Sequence, residues 1–178
     1  VYVEGGRGNI IYNVTIVSAH NYFRYSNVES LFIVKPKAIR SPGKYGDDYF
    51  EGGPPKGGEV YIIDPVAVGS GTSVLIAGGE GSIYIANPSF SNNQALLSFP
   101  TAKKSLTVII FNGSLSLVET RTWYRSIIPY GVKLITLDTA ITPLDFRLEG
   151  GSIDSLPEPI WFRLLYSSFK VYKELLLI

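Results

Sequence analysis

The chain has 178 residues, 16 Lys and Arg against 15 Asp and Glu, a net charge of +1, 46% hydrophobic residues and 17% charged ones. That length suits one domain with a sizeable core, and the charged fraction is below the roughly 25% usual for soluble domains. Basic residues form no stripe, so nucleic acid is not an expected partner. The absence of Cys excludes disulfides and thiolate chemistry, and no apolar run is long enough to span a membrane.

Val1-Tyr2-Val3-Glu4 opens the chain, Gly5-Gly6-Arg7-Gly8 interrupts it, and a β-branched stretch runs from Asn9 to Ser18. Residues 1–18 read as an extended arm with a glycine hinge, ahead of a single domain over 19–178. The first residue is not Met, which is taken as a sign of upstream processing and of a secreted or cell-surface protein. Within the arm, Ile10, Tyr12, Val14 and Ile16 alternate with their neighbours, and that face is expected to be the buried one.

Further strands are expected near 30–36, 59–67, 72–77, 81–87, 94–99, 105–111, 114–120, 131–138 and 143–148, where Val, Ile, Tyr, Phe and Thr are dense. Gly78-Gly79-Glu80-Gly81 reads as a hairpin connection, and Asn112-Gly113 as the strongest two-residue hairpin signal. About ten short strands at this spacing predict an all-β antiparallel sandwich, jelly-roll-like. No internal repeat is read. Residues 41–58, half of them Gly or Pro, form a long irregular loop. At the end, Ser155-Leu156-Pro157-Glu158 matches a capping box, and Phe162, Leu165, Phe169, Tyr172 and Leu176 recur at helical spacing, predicting a C-terminal helix over 156–175. Alternation in Phe169-Lys170-Val171-Tyr172 keeps a strand open as the rival there.

Motifs for chemistry are sparse. His20 is the only histidine, and no Gly-x-Ser-x-Gly elbow accompanies it. Asp47, Asp48 and Glu51 could offer oxygen ligands to calcium, but their spacing is not that of an EF-hand and adjacent loop carboxylates are usually solvated. Asp64, Glu119, Asp138 and Asp145 lie in or beside strands and read first as edge charges. The glycine clusters complete no phosphate-binding pattern. No cofactor and no metal are expected, and the chain is not read as an enzyme. Tyr45, Tyr49 and Phe50 in the Gly/Pro loop are candidates for stacking on sugars. Asn13-Val14-Thr15 and Asn112-Gly113-Ser114 are acceptor sequons, making Asn13 and Asn112 possible sites of N-glycosylation.

The glycine hinge, the alternating strand over Val1 to Ser18 and the Cys-free, weakly charged, strand-rich body resemble extracellular filament subunits. The likeness is to archaeal bundling pili and threads, similar in plan to bacterial TasA-type biofilm fibres. It implies a homopolymer at the cell surface in which each subunit lends its N-terminal strand to the next for adhesion, bundling or biofilm formation. Val1, Val3, Ile10, Tyr12, Val14 and Ile16 would then form the subunit interface, and neighbouring filaments would be further partners. The alternatives are a secreted carbohydrate-binding module and a jelly-roll capsid or surface-layer protein.

Overall fold

The computed structural model describes residues 1–17, 21–40, 48–69, 73–91, 95–102, 105–115, 126–137, 139 and 146–156. Nineteen strands lie among them: β1 Tyr2–Glu4, β2 Asn9–Tyr12, β3 Thr15–Val17, β4 Asn21–Ser26, β5 Ser30–Val34, β6 Lys37–Ile39, β7 Asp48–Gly53, β8 Glu59–Ile63, β9 Val66–Val68, β10 Ser73–Gly79, β11 Ser82–Ala86, β12 Ser89–Ser91, β13 Ala95–Ala102, β14 Leu106–Phe111, β15 Ser114–Leu115, β16 Ser126–Pro129, β17 Val132–Leu137, β18 Phe146–Glu149 and β19 Ser152–Leu156. Each coil of the chain contributes one short strand to each of three walls. The first wall runs β1-β4-β7-β10-β13, the second β2-β5-β8-β11-β14-β17-β19, and the third β3-β6-β9-β12-β15; β16 and β18 pair separately.

Every strand ladder is parallel. The fold is therefore a parallel β-solenoid of stacked coils. This corrects the expected antiparallel, jelly-roll-like β-sandwich. Both predicted hairpins are corners within one coil. Gly78–Gly81 carries the chain from β10 in the first wall to β11 in the second, and Asn112-Gly113 carries it from β14 to β15 in the third. Alternation alone reports that a strand has two faces and says nothing of its neighbour's direction. The predicted helix over 156–175 lies, beyond Leu156, outside the described residues. Leu156 itself closes β19.

A repeat does run through the chain, at the corner between the second and third walls. Asn13, Lys35, Asp64, Asn87 and Asn112 all hold φ between 48° and 52°. One left-handed residue turns the chain sharply, and Asn and Asp tolerate that conformation better than other side chains. The main-chain N–H of each bonds one coil onward: Asn13 to Val34 O, Lys35 to Ile63 O, Asp64 to Ala86 O, Asn87 to Phe111 O and Asn112 to Leu137 O, at 2.8–3.0 Å. Side chains continue the stack, Asn112 Nδ2 donating to Asn87 Oδ1 at 2.6 Å and Asn87 Nδ2 to Asp64 Oδ1 at 2.9 Å. Pro36, Pro65 and Pro88 follow directly, buried one above another.

The core fills the tube between the walls. On the second wall the inward columns are Leu31, Val60, Ile83, Val108 and Leu134, beside Ile33, Ile62, Ile85 and Ile110, all buried. Phe23 stacks on Phe50 from the first wall, with ring centroids 5.3 Å apart. Tyr25 is fully buried in the next inward position, and its ring needs Gly52 above it, where a Cβ would overlap Tyr25. Tyr22 and Tyr49 pack edge to face and donate their hydroxyls to Ile39 O and Val68 O, tying the first wall to the ends of the third.

Candidate functional site

Apolar side chains also occupy the outside of the second wall, in two columns. One runs Ile10, Phe32, Tyr61, Tyr84, Ile109 and Ile135; the other runs Tyr12, Val34, Ile63, Ala86, Phe111 and Leu137. Ala86, Phe111 and Leu137 are buried there, in a cluster separate from the tube interior, with Ile63, Ile109 and Ile135 against them. Phe32, Tyr61 and Tyr84 stack face to face, with centroids 4.8 Å apart and planes within 9°. Tyr61 donates to Glu59 Oε2 at 2.7 Å, and Tyr84 also bonds that carboxylate. Half-burial, aided by the Glu59 charge, raises the pKa of both phenols above the ordinary tyrosine value. Because the stacked rings face one another, Tyr61 has both faces covered and offers only edges to a flat sugar. Tyr49 and Phe50, expected to stack on carbohydrate, lie in the core at 0% and 1% exposure, and Tyr45 is outside the described residues.

The first coil, β1 to β3, is the other unusual surface. The described chain exposes eight large hydrophobic residues, and five of them, Val1, Tyr2, Ile10, Tyr12 and Val17, belong to this coil. Ile10 is 53% exposed and Tyr12 41%. Val3, Ile11, Val14 and Ile16 face the tube and pack on its core, yet remain only partly covered because no coil lies beyond them. Thus the expected interface set divides. Val3, Val14 and Ile16 point inward, and Val1, Ile10 and Tyr12 are exposed. On β2 it is Ile11 that turns inward, because the left-handed residue Asn13 shifts the alternation between β2 and β3.

The main chain of the first coil is half engaged. Gly5 N bonds Ser26 O and Asn13 N bonds Val34 O, each at 2.9 Å, and Lys37 N bonds Val14 O at 2.9 Å. In a strand, successive peptide groups point to opposite edges. Hence Tyr2, Glu4, Ile10, Tyr12, Thr15 and Val17 aim their N–H and C=O groups away from the second coil. Residues 1–17 pair with β4, β5 and β6 of the same chain as the first turn of the tube.

The opposite end differs. In the second wall the inward column of isoleucines gives way to Thr136, which is buried and polar, and then to the position of Ser155. On the outside, the Ile135 column ends at Asp154, which pairs with Lys133 at 2.9 Å. Polar terminal repeats of this kind are how solenoids keep their ends in water.

The remaining candidates do not gather into a site. Among the described residues no cluster of His, Asp or Glu could hold a metal ion. Glu51 lies 3.4 Å from Arg24, and Asp47 is outside the described residues, as is His20. Asn13 and Asn112 both occupy exposed corner positions, and the Asn112 amide nitrogen is committed to Asn87. No family model matches the chain, and neither the curated proteins nor the solved structures yield a match.

Proposed function

We propose that the protein is a structural rod for an extracellular assembly, a filament or surface fibre, and that it joins a further β-rung at its first coil. The observation behind this reading is the state of that coil: three strand edges with outward main-chain groups, lined inside by Val3, Ile11 and Ile16 and outside by Ile10 and Tyr12. Open parallel edges with apolar side chains are templates for more strand, and soluble proteins normally blunt them with charge, proline or a cover. Only Glu4 and Arg7 bring charge to residues 1–17.

The extracellular setting rests on the sequence, which lacks Cys and Met and carries little charge. Donation of a free arm is not part of the proposal, since β1 to β3 are already used by their own tube. The test is electron microscopy of the purified chain across concentrations. Seven coils in the longest wall, about 4.8 Å apart, span roughly 30 Å. Particles with a long axis twice that or more are expected; single-length particles throughout would overturn the reading.

A further inference from the structure

The proposed role leaves open what docks on the first coil. We infer that the partner is a second copy of this chain, docked first coil to first coil about a two-fold axis. This inference rests on the proposed end-joining role. Three observations support it.

The first is mismatch between the two ends. The first coil presents partly covered Val3, Ile11 and Ile16 toward the tube axis, whereas the far end of the second wall presents Thr136, the Ser155 position and the Lys133–Asp154 pair. Docking the first coil on that end would set isoleucines against polar groups. Docking it on another first coil sets apolar against apolar.

The second is outline. The first coil has a strand in all three walls, of three, four and three residues. Among the described residues the third wall stops at β15, so the last coils lack a matching third edge. A two-fold axis through the middle of β2 lays β2 on its symmetry mate and β1 on the partner's β3. Both short strands have the same burial pattern, exposed at the ends and partly covered at the central inward residue, Val3 in β1 and Ile16 in β3.

The third is hydrogen-bond phase. With the axis at Ile11, the two β2 strands run antiparallel, Ile10 lies opposite the partner's Tyr12, and Tyr12 opposite the partner's Ile10. These are the residues whose N–H and C=O already point off the edge. A hydrogen-bonded antiparallel pair exchanges two bonds, so both pairs are satisfied at once, with their side chains on the same outer face. An axis at Ile10 would satisfy one pair only. Such an isologous contact closes on itself as a double-length rod with both far ends outward.

The experiment is sedimentation of the full chain with two charge patterns at residues 10 and 12, positions that are exposed in the single subunit. In Ile10→Glu with Tyr12→Glu, two carboxylates face each other in both symmetry-related pairs. In Ile10→Lys with Tyr12→Glu, each pair joins opposite charges. Like charges directly opposite disfavour pairing and opposite charges favour it. The native chain should sediment as a dimer, the Glu/Glu variant should dissociate about a hundredfold more readily, and the Lys/Glu variant should recover most of that loss. Loss of the dimer in both variants alike would overturn the register. Rods that lengthen without limit would overturn the two-fold arrangement and leave the end-joining role standing. A native monomer at every concentration, with freely exchanging Ile10 and Tyr12 amides, would overturn both.

Discussion

Replacing Asn87 by Ala and, separately, by Gly measures what the corner ladder contributes. Asn87 holds φ at +48°, donates from Nδ2 to Asp64 at 2.9 Å and accepts from Asn112 at 2.6 Å. Either replacement deletes both side-chain bonds. The bond to the Asp64 carboxylate is worth about 1.5–3 kcal/mol, and the more exposed one to Asn112 about 0.5 kcal/mol. Ala also bears the cost of the left-handed conformation, about 1–2 kcal/mol. Gly escapes that cost and instead loses about 0.4–1 kcal/mol through its freer unfolded chain. The expected losses are therefore about 4 kcal/mol for Asn87→Ala and about 3 kcal/mol for Asn87→Gly. Urea unfolding followed by far-ultraviolet circular dichroism gives both values, provided the slope is unchanged from the native chain. If Ala costs no more than Gly, the left-handed corner carries no strain penalty. If both cost less than about 0.5 kcal/mol, the ladder is ornamental and the reasoning fails.

Lys35 is the one described ladder position without an Asn or Asp, and its ammonium sits 5.9 Å from the Tyr12 ring. Lys35→Asn should raise the melting temperature by about 2–4 °C, because a residue suited to positive φ replaces one that is not, at the loss of one weak cation–π contact. The buried Tyr25 hydroxyl has no hydrogen-bond partner, so Tyr25→Phe should stabilise the fold by about 1 kcal/mol in the same urea assay; a loss would show that the hydroxyl is bonded. Gly53→Ala should cost at least about 3 kcal/mol or prevent folding, since its Cβ would overlap the Gly78 and Gly79 main chain. Tyr25, Tyr61 and Tyr84 all have raised pKa values in the fold, chiefly through burial. The folded chain therefore holds their protons while the unfolded chain releases them near the ordinary value of about 10. Stability should be fully present below that pH and fall as pH rises above it, less steeply in Tyr25→Phe; a flat stability between pH 9 and 11 would contradict the burial of these phenols.

The β character of the chain, most strand positions and the lack of a recognisable reaction centre could be read from residue types. Strand direction could not, because Ser82-Ile83-Tyr84-Ile85-Ala86 looks the same in either kind of sheet. Two signals did point to parallel stacking. Leu31-Phe32-Ile33-Val34, Val60-Tyr61-Ile62-Ile63 and Val108-Ile109-Ile110-Phe111 are apolar on both faces, as parallel strands with two covered faces are. After each comes a turn residue: Lys35-Pro36, Asp64-Pro65, Asn87-Pro88 and Asn112-Gly113. The left-handed residues are 22, 29, 23 and 25 positions apart from Asn13 onward, and such uneven spacing hides a repeat from a fixed period. Asn112-Gly113 misled for a physical reason. Positive φ at Asn serves a tight hairpin and a solenoid corner equally. At the candidate site, the apolar load of residues 1–18 was legible, but which side of β2 faced inward depended on the turn at Asn13.

That uneven spacing has a consequence for how the molecule could be re-engineered. The corner at Asn13, Lys35, Asp64, Asn87 and Asn112 is a single residue throughout, so the length differences between coils are taken up elsewhere around each turn. The walls keep phase by the corner and are indifferent to what bulges from the other two edges. A foreign peptide spliced between β7 and β8, where Lys56 and Gly57 are exposed, would therefore leave the phase of the next turn intact. Peptides spliced into successive turns would be displayed in single file, one per rung, at a pitch of about 4.8 Å set by the main chain alone. The tube is in this sense a ruler, and its graduations are cut by the left-handed residues.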